Sequence, residues 1–486
     1  MEESVFDKLH EECGVFGIFL KNGKKGVIAP AYHALYALQH RGQESCGIAV
    51  CNDGVAECHR DVGLVNEVFT RDVLEKLTEG NMAVGHCRYG TKETKTRRNA
   101  QPLLVNHLKG PMVVCNNGSL INAGELREGL EAQGAIFHST SDSEIIAHTV
   151  VRERLKTKSI EEAVLKAMER IQGAYSMILM SSQKLIAARD PRGFRPLCIG
   201  DLDGDVVFAS ESCALDAIGA SFVRDIEPGE VVVVTEEGMR SLKLETKCDG
   251  GLCVFEFIYF ARPDSKIDGS SVHTARLRAG AFLALDHPVQ ADVVIGVPDS
   301  GIDAAIGYSR QSGIPYGLGF IKNRYIGRTF IQTEQTQRIN SVRIKLNAVE
   351  STVKGKRVVL IDDSIVRGTT SERIVSLLRE AGASEVHMRL SSPPFIHPCY
   401  FGTDIDSTDH LIAAHHTVEE IRKTIGVDSL GFLGLDAVDK LAENCRLGFC
   451  KGCFTGKYPV DPPCEGCKEN KFERPLSKKG KEKESV

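Results

Sequence analysis

The stretch VVLIDDSIVRGTT, residues 358–370, decides how the second half of this chain folds. Its first four residues are apolar without interruption, as a strand buried on both faces requires. Asp362 and Asp363 follow at the carboxyl end of that strand, where ligands bind in open α/β sheets. Arg367, Gly368, Thr369 and Thr370 then lead into a helical pattern over 371–381. Glycine lets backbone approach a phosphate closely, and the hydroxyls and N–H groups at a helix start bind an anion. The paired carboxylates suit ribose hydroxyls or a Mg2+ shared with the ligand. The plainer alternative is a surface turn in which the Asp pair caps the helix.

Working outward, the runs ADVVIGVP, RVVLIDD and EVHMRLSS alternate with helical patterns at 302–312 and 371–381. That alternation predicts parallel βαβ units between about residues 253 and 441. The first half reads differently. Short runs such as CGVFGIFL, CGIAV, MAVGHCRY, PMVVCNNG, YSMILM, KLIAARD, DVVFAS and EVVVV are separated by Gly, Asn and Asp. With helical patterns at 125–133 and 143–155, they predict an α+β layout of mostly antiparallel sheets. The polar stretch LKLETKCDGG, 242–251, marks the boundary, and no internal repeat is evident.

A length of 486 residues holds two or three domains, and 42% apolar with 26% charged residues is ordinary for a soluble globular chain. A net charge of -5 does not suggest nucleic acid as a partner. The acidic start MEESVFDKLHEE is no signal peptide, and no run approaches the roughly 20 apolar residues that cross a bilayer. A cytosolic protein is expected. Its sixteen cysteines are then catalytic, metal-binding or core residues rather than disulfides. Cys46, Cys51, Cys58, Cys115 and Cys198 read as core, which leaves Cys13, Cys253, Cys399, Cys450, Cys453, Cys464 and Cys467 to explain.

The 358–370 segment resembles the ligand signature of type I phosphoribosyltransferases, which bind phosphoribosyl pyrophosphate (PRPP). GVPDSG, 296–301, is similar to that family's pyrophosphate loop, and KNRYIGRTFIQ, 322–332, to the loop that closes over PRPP. The resemblance implies Asp362 and Asp363 on ribose and Mg2+, with Ser300 near the metal. It also implies Ser364, Arg367, Gly368, Thr369 and Thr370 on the 5-phosphate, and Lys322 and Arg324 on the pyrophosphate leaving group. Standing alone, 322–332 reads equally well as a solvated basic loop.

Cys13 in EECGVFGI reads first as a buried core cysteine. GHCRYGT (85–91), NNGSL (116–120) and STSDSE (139–144) add a guanidinium, an amide and a carboxylate at strand ends or turns. A glutamine substrate needs such groups: Arg for its α-carboxylate, Asp for its α-ammonium, and an amide with a Gly N–H as oxyanion hole. Together they resemble the class II glutamine amidotransferases of the N-terminal-nucleophile fold, an αββα sandwich. That implies Cys13 as nucleophile, Asn117 and Gly118 as oxyanion hole, and Arg88, Thr91 and Asp142 on glutamine. It implies too that residues 1–12 are a propeptide, whose removal frees the Cys13 α-amino group as base.

Both signatures in this order resemble the PRPP amidotransferases of purine synthesis, over about residues 11–459. QHRGQES (39–45), SESCALD (210–216) and FIYFARPDS (257–265) also fit. The domains expected are 1–12 propeptide, 13–245 amidotransferase, 252–445 phosphoribosyltransferase and a 446–486 tail. Glutamine and PRPP are the implied substrates, with purine nucleotides as feedback inhibitors and a homotetramer as the assembly. Two departures stand out: Asn116 where the family has His, and KETKTRR at 92–98 in place of a small-residue run.

Read locally, Cys450, Cys453, Cys464 and Cys467 form a zinc-ribbon pattern. The resemblance points instead to the family's iron–sulfur branch, with Cys253, Cys399, Cys450 and Cys453 on a [4Fe–4S] cluster. Cys464 and Cys467 then have no role. Two rivals fit parts of the pattern: a PRPP-sensing regulator that needs no Cys13, and an N-terminal-nucleophile hydrolase with a structural zinc tail.

Overall fold

The structure, a computed structural model, describes residues 13–90, 96–245, 248–323, 346–403, 405 and 407–462. Thr91, Arg324, Cys464 and Cys467 lie outside the described residues.

The first half builds two antiparallel sheets. In the seven-stranded sheet the order is Ser221–Asp225, Cys198–Leu202, Asp205–Ala209, Gly14–Phe19, Met82–Arg88, Ser45–Asn52 and Val55–Val62. The six-stranded sheet runs Gly238–Lys243, Glu230–Thr235, Leu185–Arg189, Ser176–Ser181, Gly110–Asn117 and Leu103–His107. Side chains alternate along a strand, so one strand can serve two cores. In Gly14–Phe19, Phe16 and Ile18 pack with Ile28, Ala31 and Leu35 of the helix Ile28–Ala37. Val15 and Phe19 face the other way, onto Ile178 and Leu185 of the second sheet. Gly17 lets the sheets come close, since a Cβ there would lie 3.0 Å from Ile178 Cγ2. The far face of the second sheet carries Val114, Met177 and Leu179 against helices Asp142–Arg154 and Ile160–Met168. Helix, sheet, sheet and helix stack as an αββα sandwich.

The second half carries a parallel four-stranded sheet, ordered Val293–Gly296, Arg357–Asp362, Glu385–Leu390 and Ser429–Phe432. Here the VVLI run does what an uninterrupted apolar strand must. Val359 and Ile361 pack with Leu283, Ala304 and Tyr308 on one face, and Val358 and Leu360 with Ile374, Leu378 and Ile421 on the other. The helices Val272–Asp286 and Gly301–Ser312 touch backbone to backbone, because a Cβ at Gly280 or Gly307 would press into the Ala304 or Leu277 carbonyl.

Most expected elements appear with ends shifted by one to three residues: the helix expected at 125–133 is Ala123–Glu131, and that at 371–381 is Thr369–Glu380. The Asp362–Asp363 pair does not cap that helix. Gly368 does, with φ of 90°. Strands Val55–Val62, Ser221–Asp225 and Gly238–Lys243 were not expected. Each is a sheet edge with much of its surface exposed, so selection for burial leaves no apolar alternation to read. Among the described residues no helix is long and apolar enough to cross a membrane.

Candidate functional site

At one end of the sandwich, three strand or helix ends meet. Register pairs Gly14 with Cys87, which brings Cys13 beside Arg88 at the close of its strand. The Cys13 Sγ lies 3.8 Å from the Tyr89 carbonyl oxygen. Asp142 opens the helix Asp142–Arg154, whose N-cap Ser141 accepts from the Ser143 N–H. The Asp142 carboxylate accepts from the Leu120 N–H at 2.8 Å. Burial pushes its carboxyl up to about 6, against the pull of that N–H and of Arg88. Arg88 in turn is pulled down by burial and held up by Cys13, Asp142 and Glu44, so these charges all face one space. A buried carboxyl and a buried guanidinium in one place are suited to a zwitterionic ligand.

Asn117 ends the strand Gly110–Asn117, 1% exposed, and both polar atoms of its side-chain amide are buried without a hydrogen-bond partner among the described residues. Buried amides are normally satisfied, so an orphan one marks a place for a ligand atom. Gly118 turns the chain there at φ of 123°, and a Cβ would drive into the Ala174 carbonyl. Asn116, one residue earlier, is clamped. Its N–H donates to Gln101 Oε1 at 2.8 Å, and its Nδ2 to the Gly118 carbonyl at 3.2 Å. Its carbonyl lies 3.0 Å from His86 Nε2. Burial drives His86 down to about 3, so the ring is neutral and its Nε2–H donates to that carbonyl.

Beneath Cys13 sits a residue to which sequence reasoning assigned no role. Arg41, fully buried, donates through Nε to the Cys13 carbonyl at 3.0 Å. Its other nitrogens bind Glu211 at 2.6 Å and Glu256 at 2.7 and 2.8 Å. Arg41 lies in the quoted motif QHRGQES, but its carboxylates are 170 and 215 residues away in sequence. Gln101, His86 and Glu256 were missed for the same reason: their partners are distant along the chain.

The second cluster forms at the carboxyl ends of the parallel strands. Asp362 ends its strand, and its Oδ1 accepts from the Asp363 N–H at 2.9 Å. Asp363 accepts from Ser300 Oγ at 2.5 Å and from Ser364 Oγ at 2.6 Å. Asp362, Asp363, Ser300 and Ser364 are all buried. The 297–300 loop is tied to this strand by the Val297 N–H, which donates to the Ile361 carbonyl at 2.8 Å. Glycine is required at 301, since a Cβ would lie 2.5 Å from Ile361 O. Arg367 and Gly368 lead into the helix start, where Thr369 begins the helix and Thr370 is buried. Lys322 Nζ pairs with Asp299 at 2.7 Å, on the rim of the same site.

The third group is sulfur. Strands Leu252–Cys253 and Phe449–Cys450 pair in parallel, which sets Cys253 directly opposite Cys450. The Cys453 carbonyl accepts from the N–H groups of Ile396 and His397, both at 3.1 Å, which holds the Cys399 loop alongside. Cys253, Cys399, Cys450 and Cys453 all line one cavity, walled by Phe255, Phe395 and Phe401. Burial pushes the Cys450 thiol up to about 12, and Cys453 is raised by burial and by the other three sulfurs. Among the described residues, no three ligand-type side chains gather around a single metal ion.

Two family models match the chain: a glutamine amidotransferase domain over residues 86–217, and a phosphoribosyl transferase domain over residues 273–390. The chain is 49% identical to the amidophosphoribosyltransferase of Synechocystis sp., covering 94% of this chain and 92% of that one. It is 47% identical to the Bacillus subtilis amidophosphoribosyltransferase, covering 93% and 95%. The Archaeoglobus fulgidus protein of that name is also 47% identical, covering 94% and 99%. Among solved structures, a glutamine PRPP amidotransferase from B. subtilis, complexed with ADP and GMP, superposes with a TM-score of 0.86. It is 46% identical, covering 92% of this chain and 98% of that one. With both domain models in order and relatives matched almost end to end, this chain belongs to the amidophosphoribosyltransferase family.

Proposed function

We propose that the chain makes 5-phosphoribosylamine, pyrophosphate and glutamate from PRPP, glutamine and water, the first committed step of purine synthesis. The observation that carries this reading is the buried Asn117 amide, without a hydrogen-bond partner among the described residues, three residues before the Leu120 N–H that holds Asp142, while Asp142 and Cys13 both act on the charge of Arg88. Removal of residues 1–12 frees the Cys13 α-amino group, which titrates near 8 and takes the thiol proton. Sγ attacks the glutamine amide carbon, and Asn117 Nδ2 with the Gly118 N–H binds the oxyanion. The α-ammonium returns its proton to the leaving ammonia, and water releases glutamate from the thioester. Arg88 holds the substrate α-carboxylate and Asp142 its α-ammonium; the assignment of Thr91 to glutamine rests on the sequence resemblance alone, as it lies outside the described residues.

Ammonia then attacks C1 of PRPP and pyrophosphate departs. Asp362 and Asp363 would hold the ribose and Mg2+, with Ser300 beside the ion, which supplies positive charge to the pyrophosphate when bound. Ser364, Arg367, Gly368, Thr369 and Thr370 cradle the 5-phosphate, while Lys322 and Arg324 offset charge on the leaving group. Residues 13–245 and 252–445 act as the two catalytic domains, in a cytosolic homotetramer inhibited by purine nucleotides. The bound ADP and GMP of the B. subtilis structure support that inhibition.

Cys253, Cys399, Cys450 and Cys453 would hold a [4Fe–4S] cluster. An all-sulfur set spread around an apolar cavity suits a polynuclear centre better than one ion. The cluster would be structural, pinning the C-terminal strand to the second domain.

Three outcomes test these assignments. The purified active enzyme should have the mass of a chain beginning at Cys13; activity in a chain that keeps residues 1–12 contradicts the proposed base. Asp142 binds ammonium only when ionised, and its folded value lies near 6. The KM for glutamine should therefore rise steeply as pH falls from about 7 to about 5; a flat KM across that window removes Asp142 from the glutamine site. Anaerobic preparations should be brown with matched iron and sulfide, and Cys453→Ser should lose both. A colourless, zinc-loaded protein contradicts the cluster.

A further inference from the structure

Two contacts reach the Cys13 centre from the second half of the chain, and they converge on one buried residue. The first runs through charge. Glu256 grips Arg41 with both carboxylate oxygens, at 2.7 and 2.8 Å, and Arg41 Nε donates to the Cys13 carbonyl at 3.0 Å. The second runs through backbone. Gly402, at φ of 120°, lies against the oxyanion-hole turn: a Cβ there would stand 3.4 Å from Gly118 Cα and 3.6 Å from its carbonyl carbon. The same Cβ would stand 3.3 Å from Arg195 Nη2.

Arg195 joins the two. Its Nη2 donates to the Phe401 carbonyl at 2.8 Å, next to Gly402. Its Nη1 lies 3.6 Å from Glu256 Oε1, and neither side chain has any exposed surface. Its own carbonyl accepts from Ser176 Oγ at 3.0 Å, and Ser176 is the cross-strand partner of Asn117. Phe401 is fixed from the other side by stacking on Phe194, with ring centroids 4.2 Å apart. Arg195 therefore touches the supports of the nucleophile and of both oxyanion donors, with its guanidinium on Glu256 and the Phe401 carbonyl and its main-chain carbonyl on Ser176.

Given Cys13 as the nucleophile, we propose that the glutaminase centre is completed from the second half of the chain, with Glu256 and Gly402 as positioning residues tied together by Arg195. Neither touches glutamine. Glu256 sets the Cys13 main chain through Arg41, and Gly402 fixes the Gly118 turn. Oxyanion donors act at fixed distance from a charge that develops only in the transition state, so a displaced donor costs kcat and leaves ground-state binding largely intact.

The test is a split of kinetic constants in the full-length enzyme, with ammonia-dependent synthesis from PRPP as internal reference. In Gly402→Ala the glutamine-dependent kcat should fall about tenfold or more, with KM for glutamine within about twofold and the ammonia-dependent rate retained. Glutamine- and ammonia-dependent rates that fall together, or that both stay at the parent level, overturn the proposal. Glu256→Gln keeps shape and one acceptor, and it should slow alkylation of Cys13 by a diazoketone analogue of glutamine. An unchanged alkylation rate overturns the role of Glu256 even if Gly402→Ala does not fold. Glutamine-dependent activity in Cys13→Ala would instead remove the nucleophile that these residues are said to position.

Discussion

The guanidinium of Arg41 is the interaction on which the rest of the structure depends. It is fully buried between Glu211 of the first half and Glu256 of the second, with His40 on Glu211 at 2.8 Å. Without it Glu256 would keep only the more distant Arg195 as a charge partner, and Glu211 would keep His40 with neutral donors. Breaking such a buried pair typically costs about 3–5 kcal/mol. The pairing also explains the titration of its members: Glu211 is held well below the ordinary carboxylate range by His40 and Arg41, against the push of burial. A hydrophobic contact here would hold the halves together equally well. It would not fix the Cys13 carbonyl to one point, which a directional N–H bond does.

Both chemical centres obey one constraint of sheet proteins. Polar side chains cannot sit along strands that are buried on both faces, so they gather where the strands end. Arg88 and Asn117 close antiparallel strands of the sandwich, and Asp362 closes a parallel one. At each place the polar groups are held by backbone or by neighbouring hydroxyls before any substrate arrives: Asp142 by the Leu120 N–H, Asp363 by Ser300 and Ser364. Pre-set donors and acceptors need little reorganisation during reaction, which is where much catalytic advantage lies.

How much of this was legible in the sequence depended on the range of the interaction. The VVLI run declared a doubly buried strand because its pattern is local, and the Asp pair after it was placed correctly at the strand end. The sandwich was legible from its central strands, but not from edges such as Gly238–Lys243, where Met239 and Arg240 face solvent and carry no pattern. Cys13 read locally as a core cysteine; only three remote segments pointed to the nucleophile role proposed for it. Arg41 and Arg195 could not be given roles, because contacts between remote segments leave no spacing rule: the carboxylates of Arg41 lie 170 and 215 residues away, and Arg195 reaches the Phe401 carbonyl 206 residues on. The sulfur set shows the same limit. Local spacing grouped Cys450 and Cys453 with Cys464 and Cys467, whereas in three dimensions they share a cavity with Cys253 and Cys399.

The central claim of the proposed function is that the nitrogen released from glutamine at the Cys13 centre is the one that reaches C1 of PRPP. The most direct measurement supplies amide-15N glutamine and PRPP in the presence of excess unlabelled ammonia, at a pH and concentration where glutamine is the preferred donor. The account predicts that 5-phosphoribosylamine carries the glutamine nitrogen almost undiluted. Label diluted to the level of the bulk ammonia pool would contradict it.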